Sequence, residues 1–396
     1  MKGSLIKDVV IAGACRTPIG SFTGSLSSLS APRLGAIVIE EAVRRAGLKK
    51  EQVDEVIMGC VLTAGVGQAP ARQAAIFAGL PPSVGAMTVN KVCGSGLKSI
   101  MLAAQAVMLG DAQIVVAGGM ESMSNAPYLL EKARMGYRLG NAQLIDSMIK
   151  DGLWDVYNDF HMGSAAELCA RECNVPREAQ DDFAILSYRR ALDAQANCFF
   201  RDEIVPVSIA QRNAETIVVR EDEEPKKAKF DKIRSLRPAF EKEGSVTAAN
   251  SSKINDGAAA VVVVSAEKAA QLKVEPMARI VAYDSSAKKP EWFTTAPADV
   301  IPKVLAKADL KTDDIDLFEI NEAFAVVNLA VNKILGLDME KVNVHGGAVA
   351  LGHPIGASGA RILVTLIHAL KRRNSRRGMA AICIGGGEAS GMIVER

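Results

Sequence analysis

The chain has 396 residues, of which 49% are hydrophobic and 23% are charged. This composition is that of an ordinary globular protein, and it excludes a disordered chain, a collagen-like repeat and a disulfide-built miniprotein. At about 150 residues per domain, the length predicts two or three domains. The 47 basic and 45 acidic residues leave a formal net charge of +2, so the charge balance favours neither nucleic acid nor an anionic membrane as a partner.

The cysteine content indicates a reducing compartment. Seven cysteines are an odd number and are spread thinly through the chain, which argues against a disulfide framework. Cys169 and Cys173 have no second cysteine pair and no histidine cluster nearby, so we expect no metal site. We identify no targeting signal and no apolar run of the roughly 18 residues that a membrane-spanning helix needs. The expected location is therefore the cytoplasm.

Short apolar runs alternate with segments of helical periodicity along the first part of the chain. The predicted strands are 9–15, 55–61, 87–93 and 114–117, and the predicted helices are 32–46, 70–79 and 97–109. Continuous apolar strands between helices favour parallel sheets that are covered on both faces.

The last part of the chain repeats this pattern. Strands are predicted at 316–320, 341–344 and 380–384, and a helix at 359–370. Residues 93–122 contain a Gly-Ser-Gly turn, a helix, a strand and a Gly-Gly turn, in this order. The same order recurs at 356–390, where the first turn also consists of small residues. The repetition indicates that one α/β unit has been duplicated, giving two similar domains that face each other.

The composition changes between the two halves, where Met, Tyr, Trp and charged residues become more frequent. A stretch of this length is too long for a simple connection, so residues 121–249 are predicted to form an inserted loop domain with a binding or assembly function. The N-terminal half is then 1–120, completed by about 250–275, and the C-terminal half is 276–396.

Cys93 is the first candidate for chemistry, because it follows an apolar run and precedes Gly94-Ser-Gly at the predicted start of a helix. Glycines there allow a sharp turn and expose backbone N–H groups. The helix dipole would lower the pKa of the thiol, since it stabilises the thiolate by up to ~2 kcal/mol. A base is still needed to complete the activation. A buried structural cysteine is the alternative, and position alone does not decide between the two.

Two of the four histidines, His345 and His353, lie among small residues ahead of the predicted helix 359–370. The duplication places this turn opposite the turn of Cys93. His353 is therefore placed to accept the thiol proton, and an imidazole suits this role because its pKa lies near neutral pH. His345 and His368 are interpreted as structural.

Two further residues end predicted strands. Cys383 lies beside the glycine turn of the second half and could act as an acid or base, although a buried core cysteine is the more frequent outcome. Asn321 closes a strand before a predicted helix, so it is either a helix N-cap or a polar group of the site.

Eight segments, in this order and spacing, resemble the thiolase family, specifically its short-chain, biosynthetic acetyl-CoA acetyltransferase members. The segments are R-T-P-I-G at 16–20, G-V-G-Q-A-P-A-R-Q at 65–73, C-G-S-G-L-K at 93–98, A-G-G-M-E-S-M-S at 117–124, N-D-G-A-A-A at 255–260, N-E-A-F at 321–324, G-G-A-V-A-L-G-H-P-I-G at 346–356 and C-I-G-G-G at 383–387. The resemblance implies an α/β protein with a five-layer αβαβα fold, built from two duplicated halves and a loop domain, in a homotetramer.

The resemblance also implies roles for the candidate residues. Cys93 corresponds to the nucleophile that becomes acetylated, His353 to the residue that activates it and helps to bind the thioester oxygen, and Cys383 to the base that removes the α-proton of the second acetyl-CoA. Asn321 corresponds to the residue that holds a water in the first oxyanion hole. The backbone N–H groups of Cys93 and Gly385 correspond to the second oxyanion hole.

The resemblance places CoA-binding positions in and around the loop domain. The implied contacts to pantetheine and adenosine are Leu153, His161, Met162, Phe240, Ala248, Ser252 and Phe324. No metal or redox cofactor is implied, because CoA thioesters are substrates. Three segments depart from the family. G-E-A-S-G-M at 387–392 replaces a Met-Gly-rich ending next to the catalytic strand, and Phe293 lies in the segment that borders the acyl group. Lys226 and Lys227 occupy a stretch where many relatives place an arginine near the CoA phosphates, and a lysine there is expected to substitute partly for it.

The expected reaction is the reversible Claisen condensation of two acetyl-CoA to acetoacetyl-CoA and CoA, by a ping-pong mechanism through acetyl-Cys93. The closest alternative is a 3-ketoacyl-CoA thiolase for longer chains. A cysteine hydrolase that uses Cys93 and His353, and a catalytically silent CoA-binding subunit, are more distant alternatives. A ketoacyl synthase is disfavoured by the second cysteine and by Asn321.

Overall fold

The computed structural model describes residues 7–210 and 215–396, so the first six residues lie outside the described part of the chain. Within it, nine strands of four or more residues belong to one sheet. They are β1 Val9–Arg16, β2 Glu55–Gly59, β3 Gly85–Val89, β4 Ile114–Ser122, β5 Asn255–Ser265, β6 Ala278–Ala287, β7 Leu317–Ile320, β8 Arg377–Ile384 and β9 Glu388–Glu395. The helices of seven or more residues are α1 Ala31–Arg45, α2 Pro70–Phe77, α3 Ser95–Leu109, α4 Met162–Glu172, α5 Arg177–Ala196, α6 Ala266–Leu272, α7 Ala296–Lys307, α8 Ala325–Leu335 and α9 Ile355–Arg373.

The strand order repeats in the two halves, which confirms the duplication predicted from the sequence. From the outer edge to the seam, the first half runs β3-β2-β4-β5-β1 and the second half runs β7-β8-β9-β6. Matching β1 with β6 therefore also matches β2 with β7, β4 with β8 and β5 with β9. The two half-sheets join at the seam, where β1 pairs with β6 through Val10 with Arg279 and Ile11 with Ala278.

Two predictions about the strands were wrong. The half-sheets are mixed rather than parallel, because among the described strands only β2·β3, β2·β4 and β7·β8 pair in parallel. Residues 341–344 form no strand, and Val342 makes one isolated bridge to Phe318. Asn343 has a φ of 47°, and its side chain accepts from the N–H of Ile320 and donates to the C=O of Ile320, at 2.8 Å each. The side chain of Asn343 therefore makes hydrogen bonds that the backbone of a strand would otherwise have made.

Three apolar cores lie between five layers of helices and sheets. Along β5, even-numbered residues of 258–264 pack with α1 and α2, whereas the odd-numbered residues pack with α3 and α9. This alternation is what a strand covered on both faces requires. A third core joins α7 and α8 to the outer face of the second half-sheet. The layers α1/α2, first half-sheet, α3/α9, second half-sheet and α7/α8 confirm the αβαβα architecture.

The middle layer depends on a close approach between α3 and α9. A Cβ atom placed on Gly96 would lie 2.8 Å from the backbone nitrogen of Ala360, and one placed on Gly359 would lie 2.5 Å from the backbone nitrogen of Leu97. Real Cβ atoms are not found at these distances, so both positions require glycine. Because Gly96 is the second residue of α3 and Gly359 is the fifth residue of α9, the contact brings the turn before α3 next to the turn before α9.

One segment contradicts the expectation that no apolar run is long enough to cross a membrane. The 18 residues Val92–Leu109 have a mean hydropathy of 1.5 and reach that length and composition, the only such helix among the described residues. Their apolar side chains instead form much of the middle core, including Leu97, Ile100 and Met101. A helix of the protein core can reach this apolar composition because most of its side chains pack against other elements, although Gln105 and Leu109 are exposed.

The chain between β4 and β5 leaves the sheet and contains α4, α5 and three short two-stranded sheets. A buried ion-pair cluster ties this region to β1. The guanidinium of Arg16 donates to Glu203 at 2.6 Å and to Asp222 at 2.7 Å, with all three side chains essentially inaccessible to solvent. The bounds predicted for the loop domain, 121–249, stay a prediction.

We predict that Gly359→Ala destabilises the protein, because the added methyl group would meet the backbone of α3. Overpacking of this kind costs about 1–3 kcal/mol, and the displaced helix should lower catalytic activity as well. Gly85→Ala is the matched control, since its Cβ would have only one neighbour, at 4.0 Å. Thermal unfolding of both variants tests the prediction, and equal melting temperatures would contradict it.

Candidate active site

Cys93 lies in a tight turn rather than at the end of a strand, which corrects the sequence-based prediction. β3 ends at Val89, and the turn that follows is closed by the N–H of Gly94 donating to the C=O of Lys91 at 3.0 Å. The strained residue is Val92, with a φ of 44°, whereas Gly94 has an ordinary φ of −82°. Gly94 is required for another reason: a Cβ there would collide with the side chain of Ile384 on β8.

Burial decides the protonation of Cys93. Loss of solvation raises the pKa of its thiol to about 11, and the N–H groups of Gly385 and of Cys93 itself, which point at the sulfur, offset only part of this effect. The expectation that the start of a helix would leave the thiol with a lowered pKa was therefore wrong, because burial is the larger effect. A thiol with this pKa needs a base to become a nucleophile near neutral pH.

His353 has the properties of that base. The hydroxyl of Ser358 donates to the C=O of Pro354 at 2.9 Å, so its oxygen must accept the proton of His353 Nδ1, at 2.6 Å. This contact fixes the tautomer and leaves the lone pair on Nε2, which is buried and has no hydrogen-bond partner within the described part of the chain. Burial, together with the charge of Arg361, lowers the pKa of the imidazole to about 3. His353 is therefore neutral at neutral pH.

Backbone contacts hold His353 at the mouth of α9. Its N–H donates to the side-chain oxygen of Asn255 at 3.0 Å and also to the C=O of Lys253 at 3.2 Å. Asn255 in turn donates to the C=O of Gly20 at 2.8 Å. A residue of the first half of the fold thus orients the imidazole of the second half.

Cys383 is the last residue but one of β8 and is completely buried. Burial is the main cause that raises the pKa of its thiol well above the ordinary range, and the neighbouring Cys93 raises it further. The Cys93 sulfur is therefore close enough to Cys383 for its thiolate to oppose the ionisation of Cys383. The N–H of Ala323 points at the Cys383 sulfur and partly offsets the increase.

Asn321 is not a helix N-cap, because α8 begins at Ala325 and its N-cap is Phe324. The side chain of Asn321 is fully buried, and neither its Oδ1 nor its Nδ2 has a partner among the described residues. Since a buried amide without hydrogen bonds is costly, its retention suits a site in which a ligand or solvent molecule takes part.

A cavity of about 230 Å³ collects most of the predicted site residues. Its lining includes Cys93, His353, Gly385, Leu153, His161, Met162, Phe240, Ser252 and Phe324, whereas Cys383 and Asn321 are buried outside the lining. The wall is largely aromatic and apolar: His161 stacks on Phe240 with ring centres 4.9 Å apart, and Phe324 packs edge-on against Phe240 and Phe293. Among the described residues, no cluster of three or more acidic, His or Cys side chains could bind a metal.

Ala248 is the one predicted CoA contact that does not line this cavity. It lines a second hollow of about 220 Å³ together with Tyr188, Lys227, Lys229 and Lys232. Lys226, by contrast, pairs with Glu221 at the surface.

Sequence reasoning missed several residues that shape the site. Ser358, Asn255 and Glu121 hold the catalytic turns, and Lys253 forms part of the cavity wall. Burial lowers the pKa of the Lys253 ammonium to about 8, and its Nζ donates to the C=O groups of Ser251 and Val349. Asn255 and Glu121 stood within the recognised segments and Ser358 just after one, but only their contacts distinguish them from neighbouring small or polar residues.

Comparison with known proteins identifies the family. Residues 9–267 match the thiolase N-terminal domain and residues 274–396 match the thiolase C-terminal domain. The chain belongs to the thiolase family.

Individual relatives are similar over nearly their whole length. The chain is 56% identical to an acetyl-CoA acetyltransferase of Cupriavidus necator over 390 residues, covering 98% of this chain and 99% of the relative. It is 54% identical to acetyl-CoA acetyltransferase 2 of Arabidopsis thaliana over 391 residues, covering 98% and 97% of the two chains. The crystal structure of the Bacillus anthracis acetyl-CoA acetyltransferase superposes with a TM-score of 0.97 at 43% identity, covering 99% of this chain and 100% of that one.

We predict that Ser358→Ala lowers kcat by about tenfold to a hundredfold, because His353 loses the acceptor that fixes its tautomer. KM should change little, since Ser358 is buried and does not line the cavity. Steady-state kinetics tests this, with Ser99→Ala as control: Ser99 is an equally buried serine of the middle layer that bonds only backbone oxygens of Gly96 and Gly118. A wild-type kcat in Ser358→Ala would contradict the tautomer argument.

Proposed function

We propose that this thiolase is an acetyl-CoA acetyltransferase, which condenses two acetyl-CoA to acetoacetyl-CoA and CoA and reverses the reaction by thiolysis. The observation that carries the proposal is the pairing of a protonated, half-buried thiol, Cys93, with a neutral imidazole whose free Nε2 borders the same apolar cavity. A second thiol, Cys383, is fully buried and lies close behind. The names and nearly complete coverage of the relatives support the same activity.

In the first half-reaction His353 Nε2 takes the proton of Cys93, and the sulfur attacks the carbonyl carbon of acetyl-CoA. A bond forms between the Cys93 sulfur and the acetyl carbon, the carbon–sulfur bond to CoA breaks, and the CoA thiolate leaves with the proton that His353 had accepted. Exchange of an acetyl group between two thiols is nearly balanced in free energy, so acetyl-Cys93 is not a trap.

In the second half-reaction Cys383 passes its thiol proton to His353 Nε2, and its thiolate removes a proton from the methyl carbon of a second acetyl-CoA. The resulting carbanion attacks the carbonyl of acetyl-Cys93, a carbon–carbon bond forms, and the Cys93 sulfur leaves as a thiolate. The proton taken from carbon stays on Cys383 and the proton on His353 goes to Cys93, so all three groups return to their starting state. No group is oxidised or reduced, which is why we propose that neither a metal nor a redox cofactor is needed.

The negative charge that develops on the thioester oxygens needs aimed donors. The N–H groups of Cys93 and Gly385 converge on the Cys93 sulfur, and an acyl oxygen attached there would lie within their reach. We assign the other oxyanion to His353 and to a water on the unpaired amide of Asn321. Each such donor is worth about 3–4 kcal/mol, more than a helix dipole contributes to thiol ionisation.

The CoA moiety is proposed to extend from the cavity to the hollow that contains Ala248. Pantetheine would lie along the apolar wall formed by Leu153, Met162 and Phe240, and the adenosine phosphates would meet Lys229 and Lys232. Neither lysine enters an ion pair with the described residues, so both ammonium groups are free to bind an anion. These lysines would then supply the charge that Lys226 and Lys227 were expected to supply.

A homotetramer is proposed from the exposed apolar surface as well as from the resemblance. The segment 128–144 exposes Met135, Leu139 and Leu144, and Leu139 is 99% accessible. Strand β3 lies at the outer edge of the sheet, with Phe77 and Met87 exposed beside it. Apolar patches and open strand edges of this kind are normally covered by a partner, here further copies of the chain. We also propose a cytoplasmic location, which fits seven free cysteines.

Incubation with acetyl-CoA is expected to add one acetyl group to the peptide that contains Cys93, because this thiol is the proposed acceptor. Mass spectrometry of digested protein checks the result, and Cys93→Ser should lose the adduct. Cys383→Ser is the informative comparison, since it should still be acetylated at Cys93 while condensation stops. Acetylation of Cys383 in the wild type, or release of free acetate instead of transfer to CoA, would overturn the assignment.

The alternative of a long-chain 3-ketoacyl-CoA thiolase is decided by the rates of thiolysis. We expect kcat/KM to be highest for acetoacetyl-CoA and to fall as the acyl chain lengthens, because Phe293 and Phe324 border a cavity of only about 230 Å³.

Removing the charges of Lys229 and Lys232 together should raise KM for acetoacetyl-CoA about tenfold, because charge-assisted contacts to phosphate are lost. The KM for S-acetoacetyl-pantetheine, which lacks the nucleotide, should not change. Lys226→Ala is the control, as this nearby lysine is paired with Glu221 and does not line the hollow. Equal effects on both substrates would locate the defect outside phosphate binding.

A further inference from the structure

Glu121 is a fully buried carboxylate that the proposed reaction does not use. It is the last residue but one of β4 and receives donors from two segments of the chain, 60–62 and the start of α9. Its Oε2 accepts from the N–H of Val61 at 3.0 Å and of Gly356 at 2.9 Å, and its Oε1 accepts from the N–H of Leu62 at 3.1 Å. The thiol of Cys60 lies 3.7 Å from Oε1.

These contacts link the two halves of the molecule close to the turns that contain Cys93 and His353. Val61 and Leu62 follow β2 of the first half and belong to the apolar cluster against which Cys93 packs. Gly356 is in the first turn of α9 in the second half, three residues after His353. A Cβ on Gly356 would lie 2.6 Å from Glu121 Oε2, so the absence of a side chain there is what admits the carboxylate.

The geometry requires an acceptor at both oxygens. Three N–H groups and one S–H group point at the carboxylate, and all four are donors. An amide in its place would aim its own NH₂ group at one or more of these N–H groups, so glutamine cannot reproduce the arrangement. The negative charge also lies at the N-terminal end of α9, where the helix dipole favours it.

We propose that Glu121 is a positioning residue for the thiolase reaction, holding the His353 turn of one half at a fixed distance from the Cys93 turn of the other. This inference rests on the proposed function for its catalytic consequence, but the contacts that support it do not. A displacement of about 1 Å between reacting groups costs up to a hundredfold in rate, so a clamp at this place has a large effect on kcat.

The charge of Glu121 has a second, opposite effect on Cys93. A nearby negative charge disfavours the thiolate, and Glu121 is among the causes that raise the pKa of Cys93. The other titratable groups around this thiol among the described residues are Cys383, buried behind it, and His353, His161 and Lys253 of the cavity wall; Cys60 faces Glu121 itself. Removing the charge should therefore make Cys93 easier to ionise while making the enzyme slower.

The test compares the wild type with Glu121→Gln and Glu121→Asp. Alkylation of Cys93 by iodoacetamide is followed by mass spectrometry over a range of pH, and kcat and KM are measured for thiolysis of acetoacetyl-CoA. Burial raises the pKa of Glu121 to about 7, so the wild type has this charge only above that pH. We expect Glu121→Gln to be alkylated faster than the wild type above about pH 7 and at a similar rate well below it, with kcat lower by about tenfold to a hundredfold and little change in KM. Glu121→Asp keeps the charge but is one methylene shorter, so its kcat should fall while alkylation stays slow.

Glu167→Gln is the matched control. Glu167 is also buried and accepts the N–H groups of Ser245 and Val246, but it belongs to α4 and is not among the groups that affect the pKa of Cys93. It should lose stability without changing the alkylation rate. The proposal is overturned if Glu121→Gln is alkylated at the wild-type rate above about pH 7, or if Glu121→Asp turns over at the wild-type rate. Should Glu121→Gln fail to fold, the kcat of Glu121→Asp decides. If the wild-type protein does not catalyse thiolysis of acetoacetyl-CoA, the proposed function is refuted. The alkylation rates would still test the effect of Glu121 on Cys93.

Discussion

The active site depends on the approach of two helices through glycine. Gly96 of α3 and Gly359 of α9 let the two backbones come closer than any side chain would allow, and each is among the first five residues of its helix. The turns that precede these helices contain Cys93 and His353, which are separated by 260 positions in the chain. Packing in the middle layer therefore converts a duplicated fold into a single site, because the contact exists only when both halves are present.

The same burial that creates this contact sets the protonation of the site. Loss of solvation raises the pKa of Cys93 and Cys383 and lowers the pKa of His353, so three groups that could carry charge in water are neutral in the resting protein. Charge is then formed only during reaction, where backbone N–H groups are already aimed at the atoms that will bear it. Such prearranged donors are the largest single source of rate enhancement in acyl transfer. Substrate recognition and catalysis thus share one apolar environment.

Local sequence patterns predicted most helices and strands, and the exceptions have identifiable causes. Helices α1, α2 and α3 were found near their predicted limits, because apolar periodicity and glycine stops act locally. The strand predicted at 341–344 failed because the side chain of Asn343 takes hydrogen bonds that a ladder would use. Parallel pairing was overestimated because buried antiparallel strands such as β5 are as apolar as parallel ones, and the composition of a strand records burial rather than direction.

The sequence by itself determined the family resemblance, the duplication and which residue types could carry the chemistry, since these are properties of local order along the chain. Only the tertiary structure decided the pKa direction of Cys93, the tautomer of His353 and the parts of Ser358, Asn255 and Glu121 in holding the site. Each of these depends on solvent exclusion or on a hydrogen bond, and several of the bonds join residues far apart in the chain. Electrostatic effects follow distances in space, and the amino-acid order does not contain those distances before the chain has folded.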